Sequence, residues 1–318
     1  MAPGTDMTGV FVGLATLDVV HRVDHPPGAD EKVTATRQDV AAGGPAAGAA
    51  VAFAALGGRA RLVTALGTDP IARLIRAELE SRGVDVVDVA PDDPTPPAVS
   101  AVAVTDSTGA RAVVSRDAAG HDVAAPPDLG RHLADALVVL VDGHHPRLAV
   151  AAAEAVRGVE RERPVLVLDA GRWRPVFSRL VPRADVAICS ADFRAPGTAD
   201  AEASAIALLE AGVGHVVTTH GGDPVRWWRP TPSGHVLRHE VAVPRVDAVD
   251  TLGAGDAFHG AFAWFVAQRA FDDDGTDVRR ALDAAARVAA LRCTVAGPRA
   301  WLDVLAERLA AAEVPVAR

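Results

Sequence analysis

Tyrosine is absent from the 318 residues, and aromatic side chains make up only 4% of them. A site that stacks a flat base between rings has little to draw on. Lysine is almost absent as well: of the 32 basic residues, only Lys32 is lysine and the rest are arginine. No lysine follows a glycine, which excludes the GxxxxGK[ST] phosphate loop. A pyridoxal phosphate Schiff base has only Lys32 to use, and that residue lies among polar and charged neighbours with no phosphate-binding glycines. HExxH and GxSxG are missing, so zinc-peptidase and nucleophile-elbow chemistry lack their first requirement. The two cysteines, Cys189 and Cys293, form no CxxC or CxxH pair and read as reduced, buried thiols of a cytoplasmic protein. No apolar run reaches the roughly 18 residues of a membrane span, and MAPGTDMTG lacks the basic-then-apolar plan of a signal peptide. A net charge of -9 without a basic cluster argues against a nucleic-acid partner.

What is present is ordinary globular composition, 49% hydrophobic and 23% charged, enough for one large α/β domain or two smaller ones. Strands are expected at Val10–Leu14, Ala60–Ala65, Ala136–Asp142, Pro164–Asp169, Ala184–Cys189 and His215–Thr219. Helical patterns lie between and after them, at Pro45–Leu56, Asp69–Arg82, Pro146–Val156, Ala199–Ala211, Gly255–Ala270, Asp277–Cys293 and Arg299–Ala312. Such alternation implies a mainly parallel sheet covered on both faces, with ligands beyond the carboxyl ends of its strands. Two stretches, Asp18–Val40 and Ala98–Arg116, show period-2 patterning with no helix between, the second as a hairpin around Ser107–Gly109. They are expected to form a small sheet over the pocket. An antiparallel extension of the main sheet is the alternative.

The stretch richest in chemistry is Val249-Asp-Thr-Leu-Gly-Ala-Gly-Asp-Ala-Phe-His-Gly-Ala-Phe262. Gly253, Ala254 and Gly255 let a ligand approach the backbone, and Phe258, Phe262, Phe265 and Val266 set a helical spacing directly afterwards. A glycine-rich turn feeding a helix start presents free N–H groups and the positive end of the helix dipole, a setting for a phosphoryl group. Asp256 sits within that turn. A bare GxGD is also the sequence of a tight turn with an aspartate cap.

DTLGAGDAF followed by an Ala-rich helix resembles the C-terminal motif of the ribokinase-like (PfkB) carbohydrate kinases. Further matches follow along nearly the whole chain: Gly13–Asp18 with GxxxxD, Gly43–Ala50 with GGxxxNxA, Leu56-Gly57, Gly67–Asp69, Leu79–Asp85 with LxxxGVD, Val216–Gly221 with VTxG, and Ala289–Gly297. GGPAA, DAFHGAF and LRCT are similar to a sulfofructose-kinase-like branch. The resemblance implies a three-layer α/β/α sandwich with a β lid, spanning 1–318 as one kinase domain with lid segments about 18–40 and 98–116. It implies ATP-dependent phosphorylation of a sugar hydroxyl with Mg2+, Asp256 as base and the Gly253, Ala254 and Gly255 amides as anion hole. Asp18, Gly43 and Gly44 would hold the sugar, and Thr219 and Gly221 would lie along the ATP phosphates. Asp250 matches a position that in some members helps hold a monovalent cation such as K+. The lid would double as a homodimer interface. Val99, Ala101 and Ala103 alternate with Ser100, Val102 and Val104, so both lid faces carry apolar residues, with Glu31 and Arg116 at the rim. Aspartates at Val102 and Val104 are then expected to yield monomers.

Several positions depart from the family pattern. Gly48 stands where the asparagine of GGxxxN is expected, so a sugar contact is missing. Ala72 replaces the last glycine of GxDxxG. Ser190–Phe193 lacks the NxxE linked to magnesium, leaving the metal ligands unknown, with Asp192 as a stand-in. Asp142–Pro146 (DGHHP) and Asp169–Arg174 each end a strand and read either as ligand contacts or as polar loops. His259 reads as packing, Lys32 as solvated, and Trp227-Trp228 as core or cover. A nucleoside kinase of the same fold and a non-catalytic sugar or nucleotide sensor are the alternatives.

Overall fold

The computed structural model describes residues 7–159, 163–231, 233–268 and 276–311. From the N-terminus, β1 (Thr8–Val12) leads to β2 (Thr16–Val23), β3 (Arg37–Gly43), α1 (Pro45–Ala55), β4 (Arg59–Thr64), α2 (Pro70–Ser81) and β5 (Val84–Asp88). A second stretch holds β6 (Val99–Thr105), β7 (Arg111–Ser115), α3 (Leu129–Leu133), β8 (Ala136–Val141), α4 (Pro146–Arg157), β9 (Val165–Ala170) and α5 (Phe177–Leu180). The rest is β10 (Val186–Cys189), α6 (Ala201–Glu210), β11 (His215–Thr218), β12 (Val225–Pro230), β13 (Val236–Val241), α7 (Ala254–Ala267), α8 (Thr276–Cys293) and α9 (Trp301–Ala310).

The main sheet runs in the order β13-β12-β11-β10-β9-β8-β1-β4-β5. It is parallel from β11 to β5, while β12 and β13 are antiparallel additions at one edge. Period-2 strand geometry explains why it is buried on both faces. Phe11, Val138 and Leu140 point to a core shared with α1, α7 and α8, whereas Val10, Val12, Val139 and Val141 point to one shared with α4. Trp227 and Trp228 obey the same alternation: one enters each core. The first helical layer is close-packed because it is made of small residues. Ala46, Ala47, Ala49 and Ala50 are buried in α1, and a Cβ on Gly260 of α7 would collide with the Ala49 carbonyl. The expected strands and helices are found within a few residues, except that Ala270 and Ala312 lie outside the described residues.

The lid is a separate four-stranded sheet, β3-β2-β6-β7, not an extension of the main one. Its central pair, β2 and β6, is parallel and its outer pairs are antiparallel. One face carries Val20, Val102 and Val104, buried against Leu252. Val102 and Val104 therefore do not lie on an outer face, and aspartates there would unseat the lid instead of splitting a dimer. The opposite face carries a row across all four strands, Val40, Val19, Ala101 and Val114. Val114 is 76% exposed and Val40 52%.

Candidate active site

The carboxyl ends of β1, β8, β9 and β10 face the lid, and the polar residues that follow them build the site. Asp18, Gly43, Gly253 and Asp256 come together in one pocket of about 50 Å³, with Gly48, Arg292 and Arg299 also lining it. Gly44 is the N-cap of α1, with φ at 95°. Thr219 and Gly221 lie outside this pocket, in the loop after β11, where Thr219 donates its N–H to the Cys189 carbonyl at 3.0 Å. A larger cavity of about 380 Å³ lies in front of β8, β9 and β10, bounded by lid residues Val113, Ser115 and Asp117 and by Asp142, Asp169, Arg174 and Asp192.

Asp256 stands in the first turn of α7, and the cap of that helix is Gly253, in the left-handed region at φ 73°. Only glycine adopts that angle without strain. The Ala254 N–H already donates to the Thr251 carbonyl at 3.3 Å. Gly253, Gly255 and Asp256 make no backbone hydrogen bond through their N–H groups among the described residues. The expected anion hole is thus narrower on one side, with Gly253 and Gly255 as its free donors. The Asp256 carboxylate makes no hydrogen bond either among the described residues, unlike a helix cap. Burial, then the charges of Asp169 and Asp18, push Asp256 up to about 8, with Arg111 and Arg299 opposing.

Asp18 accepts a 2.7 Å hydrogen bond from Thr16. Burial lifts its pKa, while Thr16, Ser100 and Arg299 pull it down. A Cβ on Gly43 would collide with the Asp18 carboxylate, and one on Gly48 would lie 2.5 Å from Asp256 Oδ2 and 2.7 Å from its Cβ. The departure at Gly48 thereby acquires a reason: Asp256 lies directly on the backbone of α1, where an asparagine side chain does not fit. Gly48→Ala is expected to displace Asp256 and lower kcat about a hundredfold, since about 1 Å of misplacement costs that much. Sugar affinity by calorimetry should hold; if kcat holds instead, Asp256 has room to spare.

Asp142 turns out to be a structural tie. It accepts from the N–H groups of Leu14 at 2.8 Å, His144 at 2.9 Å and Ala46 at 3.3 Å, fixing the loop after β1 to the start of α1. Burial raises its pKa, but the His144 ring and these amides win and hold it at about 2. Arg174 donates to His144 Nε2 at 2.6 Å and to Asp117 of the lid connection at 3.0 Å. Asp169, at the end of β9, is raised by burial and lies 3.5 Å from His259 Nε2, whose Nδ1 bonds the Gly255 carbonyl at 2.8 Å. His259 thus both packs and touches the start of α7.

The arginines around the site were not singled out from the sequence. Arg299 forms a bidentate pair with Glu78 of α2 at 2.8 and 3.1 Å and donates to the Ala42 carbonyl at 2.6 Å. Arg111 of the lid donates to the Thr251 carbonyl at 3.2 Å and its hydroxyl at 3.0 Å. Asp192 is exposed, and its own N–H donates to Ser190 Oγ at 3.2 Å. Among the described residues no group of three or more His, Cys, Asp or Glu is placed to hold a metal on its own, and no helix is long and apolar enough to cross a membrane.

The model for pfkB family carbohydrate kinases matches residues 9–304. The ATP-dependent ribose-1-phosphate kinase of Halopiger xanaduensis is 32% identical over 300 residues, 90% of this chain and 92% of that protein. Mouse (Mus musculus) ketohexokinase is 24% identical over 297 residues, covering 90% and 96%. Arabidopsis thaliana ribokinase, solved with ribose and ATP, superposes with a TM-score of 0.71 at 22% identity, covering 96% of this chain and 99% of that one.

Proposed function

For a chain that belongs to the pfkB family of carbohydrate kinases, we propose a reaction in which Asp256 removes the proton from a hydroxyl of a small sugar or sugar derivative. The enzyme is a carbohydrate kinase, transferring a phosphoryl group from ATP to an alcohol. As the proton passes to Asp256, the hydroxyl oxygen bonds the γ-phosphorus and the bond to the β-phosphate oxygen breaks, leaving ADP. The free amides of Gly253 and Gly255 and the α7 dipole receive the charge that builds on the transferred group. The observation that supports this reading best is an unbonded, buried carboxylate beside unpartnered amides, with Asp18 in the same pocket.

Asp18, Gly43 and Gly44 are assigned to the sugar, and Thr219 and Gly221 to the ATP phosphates. Mg2+ carried by nucleotide phosphates needs only one or two protein carboxylates besides phosphate oxygens and water. Asp192 and Asp169, both on the cavity wall, suit such a partial set. Bound there, the ion would neutralise phosphate charge. The nucleoside alternative finds less support: Trp301 is the single aromatic residue lining the two cavities, 3% exposed and held by the Pro298 carbonyl.

ATP turnover against keto- and aldo-sugars, with and without phosphate or sulfonate and alongside nucleosides, tests the reading. Phosphorylation of one sugar is expected. Turnover of nucleosides alone would favour the alternative, and binding without any turnover would favour a sensor. Asp18→Ala is expected to raise the sugar KM about 10- to 150-fold, because each hydrogen bond to a charged group contributes about 1.5–3 kcal/mol. The KM for ATP should stay put; an equal ATP defect would reassign Asp18.

A homodimer through the lids is proposed from the row Val40, Val19, Ala101 and Val114, exposed but for the half-buried Val19, which an isologous contact would bury twice. Glu31 is already paired with His25 at 2.9 Å, so it is not reserved for Arg116 across the rim. Ala101→Asp with Val114→Asp is expected to convert dimers to monomers by light scattering and raise the sugar KM. A wild-type monomer at micromolar concentration would remove the dimer.

A further inference from the structure

Asp250 opens the turn that carries the anion hole, and its side chain is 1% exposed. Its Oδ1 accepts the Leu252 N–H at 3.0 Å, and its Oδ2 accepts the Gly297 N–H at 2.9 Å. A buried carboxylate among loop carbonyls is the donor set a monovalent cation would take. Here guanidinium groups already face those oxygens. Arg22 Nη1 and Arg292 Nη2 each lie 3.5 Å from Asp250 Oδ2. Arg22 also donates to the Val249 carbonyl at 3.2 Å, and Arg292 Nη1 to the carbonyls of Val295 at 3.0 Å and Asp250 at 3.5 Å. The Arg22 and Arg292 side chains are 7% and 1% exposed.

The charges close on themselves. Arg22 Nε pairs with Asp106 at 2.6 Å, so two arginines and two aspartates form a neutral set. A bound K+ would add a third positive charge against two desolvated guanidiniums, and it would find the Val249, Asp250 and Val295 carbonyls engaged as acceptors. The residues do not fit the cation that the resemblance implies at Asp250. We propose instead that Arg22 and Arg292 form a built-in cation, holding the 249–255 turn in shape for phosphoryl transfer without any monovalent ion. Arg292 Nε lies 3.9 Å from where a Gly253 Cβ would stand, so this fixed charge also borders the anion hole. Arg22 sits on β2, which ties the lid to the same turn.

The link to turnover rests on the kinase reading, so the test also includes a measurement that does not. Thermal unfolding of the wild-type protein and its ATP turnover on the best sugar are compared in K+, Na+ and choline chloride at equal ionic strength. Both are expected to be the same in all three. A K+-dependent rise in melting temperature or an activation of about tenfold over choline would overturn the proposal, because a bound ion stabilises only a fold that has a site for it. Arg292→Ala empties one guanidinium position and is expected to melt lower in choline and to regain stability with K+. If that variant does not fold, Arg22→Gln at the lid end serves, with the same expectation. A folded variant matching wild type in choline would show that the arginines do not shape the turn. Should every sugar fail as substrate, the kinase reading falls while the melting comparison still decides this one.

Discussion

Asp256→Asn is expected to fold, bind ATP and lose about 10²- to 10⁴-fold in kcat, the span for removing a general base. A loss below about tenfold would make Asp256 a structural residue, although the cap of α7 is Gly253. The raised pKa gives the prediction two further arms. With Asp256 at about 8, kcat/KM should climb with pH below that value and level off above it. Stability runs the other way. Asp256 holds its proton more tightly folded than unfolded, where its value is near 3.8, so its contribution is complete below pH 3.8 and lost as pH rises through about 8. Asparagine escapes this loss. The variant should therefore melt with wild type in acid and above it at pH 8 to 9, while being the poorer catalyst throughout. Differential scanning calorimetry across that range checks the sign.

Gly255→Val is expected to reduce turnover about 10²- to 10³-fold or more while sugar affinity and melting temperature stay near wild type. The reason differs from that for Gly253. Gly255 lies within α7 at an ordinary angle, and a Cβ there meets nothing within 4 Å. A branched side chain fits the protein but fills the space a phosphoryl group must enter, beside an amide left free to receive it. Gly253, at φ 73°, would be strained by any side chain, so its substitution could not separate folding from catalysis. Calorimetry showing sugar binding lost in step with turnover would mark the segment as scaffold.

The sequence made the main sheet legible because a strand buried on both faces is a continuous apolar run, as in Ala136–Val141, and β4, β8 and β10 are followed by patterned helices. Elements lacking that contrast were not read. β5 is five residues sharing the LxxxGVD turn, and α3 is a single turn. The lid was legible as two period-2 stretches, but which of its faces is covered was not, since Val102 and Val113 are paired neighbours and only the first is buried. At the site, the GAGD turn and Asp18 were recognisable from a long local motif. Arg111, Arg292 and Arg299 were not, because arginine is the basic residue almost everywhere in this chain and these three acquire meaning only from distant partners. The Arg299–Glu78 pair spans 221 positions. Gly48 looked like a lost contact until its neighbour proved to be Asp256.

The lid and the 249–255 turn share a joint. Val20, Val102 and Val104 rest on Leu252, and Arg111 grips Thr251, both just ahead of Gly253. On the proposed reaction, opening the lid to admit or release sugar would loosen the turn assigned to receive the phosphoryl group. With the cover raised, water would enter but the proposed anion hole would lose its support; with the cover lowered, the hole would be braced with bulk water outside. Coupling access to competence in this way would guard against futile ATP hydrolysis between substrates, and release of the phosphorylated product is then expected to limit kcat.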